Sequence, residues 1–253
     1  MNNSPHDTPE DSRGDSPEAA NDPLESAVSH LKRSARTTGE EPFEQRSQAA
    51  LTQREALVAL AESQGLILDP SGWLRGTTTG GAEHDIVLHE KSGEYWKVTR
   101  PDHFGWTVLP GEDGAPVASE ATPLEYLERW LNANEIFGDA AKLRGVIVTE
   151  QGVQVVISQP FIKGPYPSLS EIKVQMAAGG FDPVVGFHLG AEVNTSYYHP
   201  GEKVGVFDAA PDNFILSHKM AVPIDVVTIR VSDALHVQLR RRMKSRGAAP
   251  PRR

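Results

Sequence analysis

The chain has 253 residues and no cysteine. This absence excludes a disulfide framework, a thiolate metal site and a cysteine nucleophile. It also removes the thiol pattern from which a redox compartment is inferred, so the cytoplasm is the default expectation.

Long apolar runs are absent as well. No stretch approaches the roughly 18 apolar residues that a transmembrane helix needs. Residues 1–23, MNNSPHDTPEDSRGDSPEAANDP, contain no basic segment followed by an apolar one, as a signal peptide would. We therefore expect a soluble protein that does not contact a membrane.

Excess positive charge is missing too, since the formal net charge is -9. Such a balance argues against a body that binds nucleic acid. The exception is the basic segment RRRMKSR near the C-terminus, which would suit contact with nucleic acid or a membrane surface, although such runs are usually solvated tails.

Two further patterns are lacking. The nine histidines do not show HExxH-type spacing, which argues against a zinc site. No G-x-S-x-G motif occurs, which argues against a serine hydrolase of the α/β type.

Composition divides the chain into three parts. Residues 1–45 are rich in Ser, Pro, Asp and Glu and carry few large apolar side chains, so we predict a disordered acidic tail with at most a transient helix at residues 24–31. Residues 50–235 alternate apolar and turn segments and form the predicted domain. Residues 236–253 are predicted to be a basic C-terminal tail.

Within the domain, several elements have local signals. IVL and YWKV flank Lys91-Ser-Gly93 and predict a β-hairpin. The sequence TPLE from Thr122 is a capping box with proline at the first helical position, and it predicts a helix to about Phe137. Residues 107–121 are predicted to be a surface loop. GVIVTEQGVQVVISQ, residues 145–159, predicts a second hairpin.

The most informative stretch is GVFDAAPDNFILSHKMAVPIDVVTIR, residues 205–230. It contains three short apolar strands. Asp208 and Asn213 lie five residues apart across one loop, and Asp225 follows a strand end. Three oxygen-bearing side chains held on loops beside strands suit a hard cation such as Mg²⁺ near a phosphate.

This D-x4-N pattern followed by a strand-capping Asp resembles the catalytic and metal loops of the protein-kinase superfamily. The chain is most similar to the kinase-like domain of polyvalent proteins of phages and mobile elements. The matching segments, between about Leu66 and Val231, are GGAEHDIVL, YWKVT, LNANEIFGD, ISQPFIKG, DAAPDNFI and PIDVV. The resemblance implies an α+β class with a minimal kinase-like fold: an antiparallel-sheet N-lobe with one main helix, and a truncated C-lobe.

The implied activity is that of an ATP- and Mg²⁺-dependent phosphotransferase, a Ser/Thr/Tyr protein kinase with a protein acceptor. Lys97, in the strand YWKVT, would hold the nucleotide phosphates. Glu135 would be its partner on the helix, with Glu128 as the second choice. Taken alone, Lys97 also fits a solvent-facing strand lysine, and Glu135 fits a solvated residue at a helix end.

The resemblance assigns Asp208 to orienting or deprotonating the acceptor hydroxyl, and Asn213 and Asp225 to the metal. In the alternative reading, Asp208 and Asp212 are ordinary turn formers. For the cofactor, Gly80 and Gly81 would offer backbone N–H groups to the phosphates, although a Gly/Thr-rich hairpin turn fits them equally well.

Gln159 and Phe161 would lie in the connector that binds the adenine.

Several features depart from the kinase pattern. Val206-Phe207 stand where the family has His-Arg, Asp225-Val-Val replaces DFG, and no APE-like segment follows. These departures leave two alternatives open: a catalytically silent pseudokinase or interaction module, and a kinase of small-molecule hydroxyls.

Overall fold

The computed structural model describes residues 22–34, 43–72, 78–80, 83–89, 91–190, 192–193 and 195–243. Within these ranges the protein is a mixed α+β structure with antiparallel sheets, as the sequence predicts. The helices are α1 (Pro23–Ser34), α2 (Phe43–Gln64), α3 (Pro123–Phe137), α4 (Leu169–Ala178) and α5 (Asp233–Arg242).

A five-stranded antiparallel sheet forms the first half of the fold, with the strand order β1-β2-β3-β7-β6. The predicted hairpin at Lys91–Gly93 is confirmed as β2 and β3, and the second hairpin as β6 and β7. The strands are β1 (Thr78–Gly80), β2 (His84–His89), β3 (Glu94–Thr99), β6 (Lys142–Thr149) and β7 (Gly152–Pro160).

Helix α3 packs on this sheet and begins where its sequence predicts. The Thr122 side chain accepts a hydrogen bond from the Glu125 amide, and the Glu125 carboxylate accepts one from the Thr122 amide. Gly138 ends the helix with φ 70, a left-handed conformation that glycine adopts without steric cost. Both ends of α3 are thus set by local interactions.

The prediction of a disordered tail is wrong for α1 and for the start of α2. Four α1 residues, Leu24, Ala27, Val28 and Leu31, are buried against α2, α3 and β6. Their i, i+3, i+4, i+7 spacing produces an apolar stripe that the polar composition of the tail obscures. A fully buried leucine contributes about 1.5–3 kcal/mol, which helps to offset the entropy of ordering this helix.

Residues 107–121 also differ from the prediction, because they form a hairpin of β4 (Trp106–Pro110) and β5 (Pro116–Glu120) rather than a loop. This hairpin packs against α5. The C-terminal tail likewise begins later than residue 236, since α5 reaches Arg242 and buries Leu235 and Leu239. The helix therefore belongs to the domain, and residues 244–253 lie outside the described part of the chain.

A four-stranded antiparallel sheet, in the order β13-β10-β9-β8, forms the second half. A separate hairpin of β11 and β12 follows β10, and α4 packs against β12. The strands are β8 (Asp182–Pro183), β9 (Tyr197–His199), β10 (Val204–Phe207), β11 (Phe214–Ser217), β12 (Met220–Pro223) and β13 (Val227–Arg230).

In the described residues, no helix has the length and apolar character needed to cross a bilayer.

Candidate functional site

A cleft of about 790 Å³ lies between the five-stranded sheet and the β11–β12 hairpin. One wall is the sheet, the other is the hairpin with the loops at its ends, and the connector after β7 closes one side. The residues of the site that line it are Tyr95, Lys97, Asp139, Gln159, Phe161, Asn213 and Asp225.

Lys97 lies in this cleft on the central strand β3. Its Nζ is 3.1 Å from Asp225 Oδ1, donates a hydrogen bond to Ile224 O at 2.5 Å, and stands 4.8 Å from the centre of the Trp130 ring. Only 5% of its side chain is exposed, so the alternative of a solvent-facing strand lysine is wrong. Burial lowers the pKa of Lys97, and the Asp225 carboxylate opposes that change.

The predicted pair between Lys97 and Glu135 is not formed. Glu135 lies near the C-terminal end of α3, is 59% exposed and pairs with Arg230. The second choice, Glu128, pairs with Lys32 on α1. Both carboxylates lie on the edge of α3 that faces away from the cleft, so this face of the helix does not meet Lys97.

Arg129 is the residue that α3 directs toward the site instead. Its NH2 donates to Asp225 Oδ1 and to Asp225 O, each at 2.9 Å. Its Nε donates to Val226 O at 3.0 Å, and its NH1 donates to Glu83 Oε2 at 2.7 Å. The side chain is 3% exposed. The helix therefore contributes a buried cation where the resemblance implies a carboxylate.

Asp225 consequently faces two cations, Lys97 and Arg129. Burial disfavours its ionised form, but Lys97, His84 and Arg129 together hold the pKa of Asp225 well below its usual value. His84 is fully buried beside it, with Nδ1 3.8 Å from Asp225 Oδ2 and Nε2 3.0 Å from the Tyr126 hydroxyl. Asp225 is therefore a carboxylate at neutral pH.

Asp208 and Asn213 belong to one loop, in which Asn213 lines the cleft and Asp208 does not. The Asn213 Nδ2 donates to Asp208 O at 2.7 Å and to Asp208 Oδ2 at 3.0 Å. Asp208 has φ 53, a left-handed conformation that aspartate tolerates better than most residues and that is frequent at functional sites. Burial raises the pKa of Asp208 to about 6, although the bond from Asn213 opposes that change.

The backbone joins this loop to Asp225. The Asn213 carbonyl accepts hydrogen bonds from the Ile224 amide at 2.8 Å and from the Asp225 amide at 3.4 Å. Gly190 lies against the Asp208 carboxylate so closely that a Cβ there would stand 2.3 Å from Oδ1. The three residues predicted from the motif thus belong to two directly bonded loops.

Asp139 is a second buried carboxyl group that the sequence did not single out. It follows Gly138 at the end of α3, and its Oδ2 accepts a hydrogen bond from Gln159 Nε2 at 3.3 Å. Its Oδ1 is buried without a hydrogen-bond partner among the described residues. Burial raises the pKa of Asp139 to about 7, despite the opposing effect of Lys97.

Of the residues expected to bind the cofactor, Gln159 and Phe161 line the cleft. The Phe161 amide donates to Gly93 O, which fixes the start of the connector. Gly80 is the last residue of β1 and pairs with His84, whereas Gly81 lies outside the described residues.

The oxygen donors suit a hard cation better than a softer metal. Asn213 uses only its Nδ2 in the contact with Asp208, so its amide oxygen remains for a ligand. A second group, Glu83, His84 and Asp225, places three ligand atoms within 4.8 Å of one another. Arg129 already bonds one oxygen of each of its carboxylates, Glu83 Oε2 and Asp225 Oδ1, so these two oxygens are engaged within the protein.

The signals for Arg129 and Glu83 are weak in the sequence. Both are ordinary charged residues. Arg129 bonds Asp225, and Glu83 bonds Arg129, only through contacts between segments distant along the chain. Comparison with protein-family models, with curated proteins and with solved structures found no match to this chain.

Proposed function

We propose that the protein is an ATP- and Mg²⁺-dependent phosphotransferase with a kinase-like fold, whose acceptor is a protein hydroxyl. The observation that carries the proposal is that Lys97, Asn213 and Asp225, distant in sequence, line one cleft. Lys97 comes from the central strand of one sheet, and the other two come from the loops that face it.

The cleft has the size and character of a ligand site. Its volume of about 790 Å³ lies within the range of about 300–1,000 Å³ that is typical of small-molecule pockets. Apolar side chains from β2, the connector and the hairpin line part of it, which suits a nucleobase. The charged residues lie together beside them, which suits the phosphates.

The residues divide the work of such a reaction between them. Lys97 would hold the phosphates, since its ammonium lies 3.1 Å from Asp225, the carboxylate that would hold the metal. Asn213 and Asp225 would hold Mg²⁺, which supplies charge neutralisation at the transferred phosphoryl group. Asp208, on the loop that also carries Asn213, would orient the acceptor hydroxyl and receive its proton.

One observation favours a second candidate, a nucleotide-binding module without turnover. Asp225 is bonded to both Lys97 and Arg129, so the residue that would hold the metal already has its charge compensated. If that arrangement persists when nucleotide is present, the fold binds ligand without assembling a reactive centre.

Calorimetric titration of Mg·ATP, together with a phosphoryl-transfer assay on protein acceptors, tests both candidates. We expect wild type to bind, and Lys97→Met and Asp225→Ala to bind at least tenfold more weakly. Lys142→Met, at an exposed lysine of β6, is the matched control and should bind as wild type does. Absence of binding by wild type contradicts both candidates, and binding without transfer favours the module.

A further inference from the structure

Helix α3 reaches the candidate site through the guanidinium of Arg129. Arg129 directs four of its five N–H donors to three partners: the Glu83 carboxylate, the Val226 carbonyl, and both the carboxylate and the carbonyl of Asp225. The planar guanidinium therefore fixes the backbone of Asp225 as well as its side chain. An ammonium group would not reproduce that pattern, because its donors diverge from a single point.

Glu83 completes the arrangement from the turn that precedes β2. Its carboxylate bonds Arg129 NH1 at 2.7 Å, and its side chain is 16% exposed. Without Glu83, Asp225 would be the only carboxylate bonded to Arg129 among the described residues. Glu83 thus orients the guanidinium and also supplies the charge that compensates it.

From these contacts we propose that Arg129, oriented by Glu83, is the positioning residue that holds Asp225 in place for a divalent cation. The proposal rests on the proposed function, because it assigns Asp225 to the metal. Arg129 does not touch the substrate in this scheme, and it acts only through Asp225.

The two cations beside Asp225 then have different roles. Asp225 is the only carboxylate within 4 Å of Lys97 in the described part of the chain, whereas Arg129 is also bonded to Glu83. A divalent cation on Asp225 would therefore release Lys97 toward the phosphates. Arg129 would remain, since its bonds to Glu83 and to the two carbonyl oxygens do not depend on the Asp225 carboxylate.

The test measures two affinities of the full chain. Electron paramagnetic resonance gives the affinity for Mn²⁺ in the presence of ATP, and calorimetry gives the affinity for ATP in EDTA. We expect Arg129→Lys and Glu83→Gln to weaken Mn²⁺ binding about 10–100-fold, as loss of a residue that orients a metal ligand typically does. The affinity for ATP in EDTA should change by less than about threefold, because no phosphate contact is removed.

Arg46→Lys is the matched control, because Arg46 forms a bidentate pair with Glu125 at the start of the same helix, away from the cleft. It should leave both affinities unchanged. If Arg129→Lys does not fold, Glu83→Gln decides the matter alone.

Two results would overturn the proposal while the proposed function stands. The first is that Glu83→Gln, and Arg129→Lys if it folds, bind Mn²⁺ as tightly as wild type does. The second is that these variants lose affinity for Mn²⁺ and for ATP in EDTA equally, which indicates general structural damage. Failure of wild type to bind Mn²⁺ and ATP overturns the proposed function and this inference with it.

Discussion

The two long edges of helix α3 each carry an ion-paired side chain, Arg129 on one and Glu135 on the other, in very different surroundings. On the edge facing the cleft, Arg129 is 3% exposed and bonded to Asp225 and Glu83. On the opposite edge, Glu135 and Arg230 pair with 59% and 46% of their side chains exposed. The difference shows that burial, rather than the presence of a charge on the helix, decides which residues build the site.

The physical reason is the cost of removing charge from water. A buried ion loses hydration worth several kcal/mol and is retained only with partners of good geometry, as Arg129 has. An exposed pair keeps its hydration and contributes at most about 1 kcal/mol. A strand lysine as buried as Lys97 must likewise have a carboxylate brought to it, and Asp225 meets that requirement.

The largest effect should come from removing one partner on the buried edge. We expect Arg129→Met to lower the free energy of unfolding by about 3–5 kcal/mol, because Glu83 and Asp225 are left without their shared cation. Arg230→Met, the matched change on the exposed edge, should cost less than about 1 kcal/mol. Urea denaturation of both variants measures the difference, and equal losses would show that the two edges do not differ as described.

The sequence predicts those parts of the fold whose determinants are local. The Thr122 capping box and Gly138 specify α3 because each of their bonds spans a few residues. The loop from Asp208 to Asn213 is found for the same reason. For Lys97, the sequence alone leaves a solvent-facing position open, and the structure buries the side chain.

The remaining errors concern contacts between distant segments. Arg129 meets Glu83 and Asp225 across 46 and 96 residues, so neither contact leaves a pattern in the neighbouring sequence. Helix α1 has a regular apolar stripe, but its stability depends on α2 and α3 covering it. Glu135 is the partner that the resemblance implies for Lys97, but in the fold it pairs with Arg230, which lies 95 residues away along the chain.

A smaller, pH-dependent effect should come from Asp139, which is buried near the cleft but makes no ion pair within 4 Å among the described residues. Its pKa is raised to about 7 in the folded protein, against about 4 when unfolded. Between these values the folded state binds the extra proton, so stability is lost as the pH rises through this window. Asp139→Asn removes that loss.

We therefore expect the stability advantage of Asp139→Asn over wild type to increase as the pH rises. From pH 5 to pH 8 this increase should be on the order of 2 kcal/mol. Denaturation at both pH values measures the gain, and Asp212→Asn, at an exposed position of the turn before β11, is the control. A difference that stays constant with pH would mean that Asp139 is compensated by Lys97 as fully as Asp225 is.

The smallest effect is expected at Glu135, and it separates the structure from the family resemblance most directly. If Lys97 depended on a helix glutamate, Glu135→Gln would impair nucleotide binding at least as strongly as Glu83→Gln. Because Glu135 bonds Arg230 at the surface, we expect stability within about 0.5 kcal/mol of wild type and Mg·ATP affinity within about twofold. Calorimetry on both variants measures this contrast. A tenfold loss in Glu135→Gln would mean that α3 rotates to bring Glu135 to Lys97 when nucleotide binds, and that Arg129 holds Asp225 only in the unliganded protein.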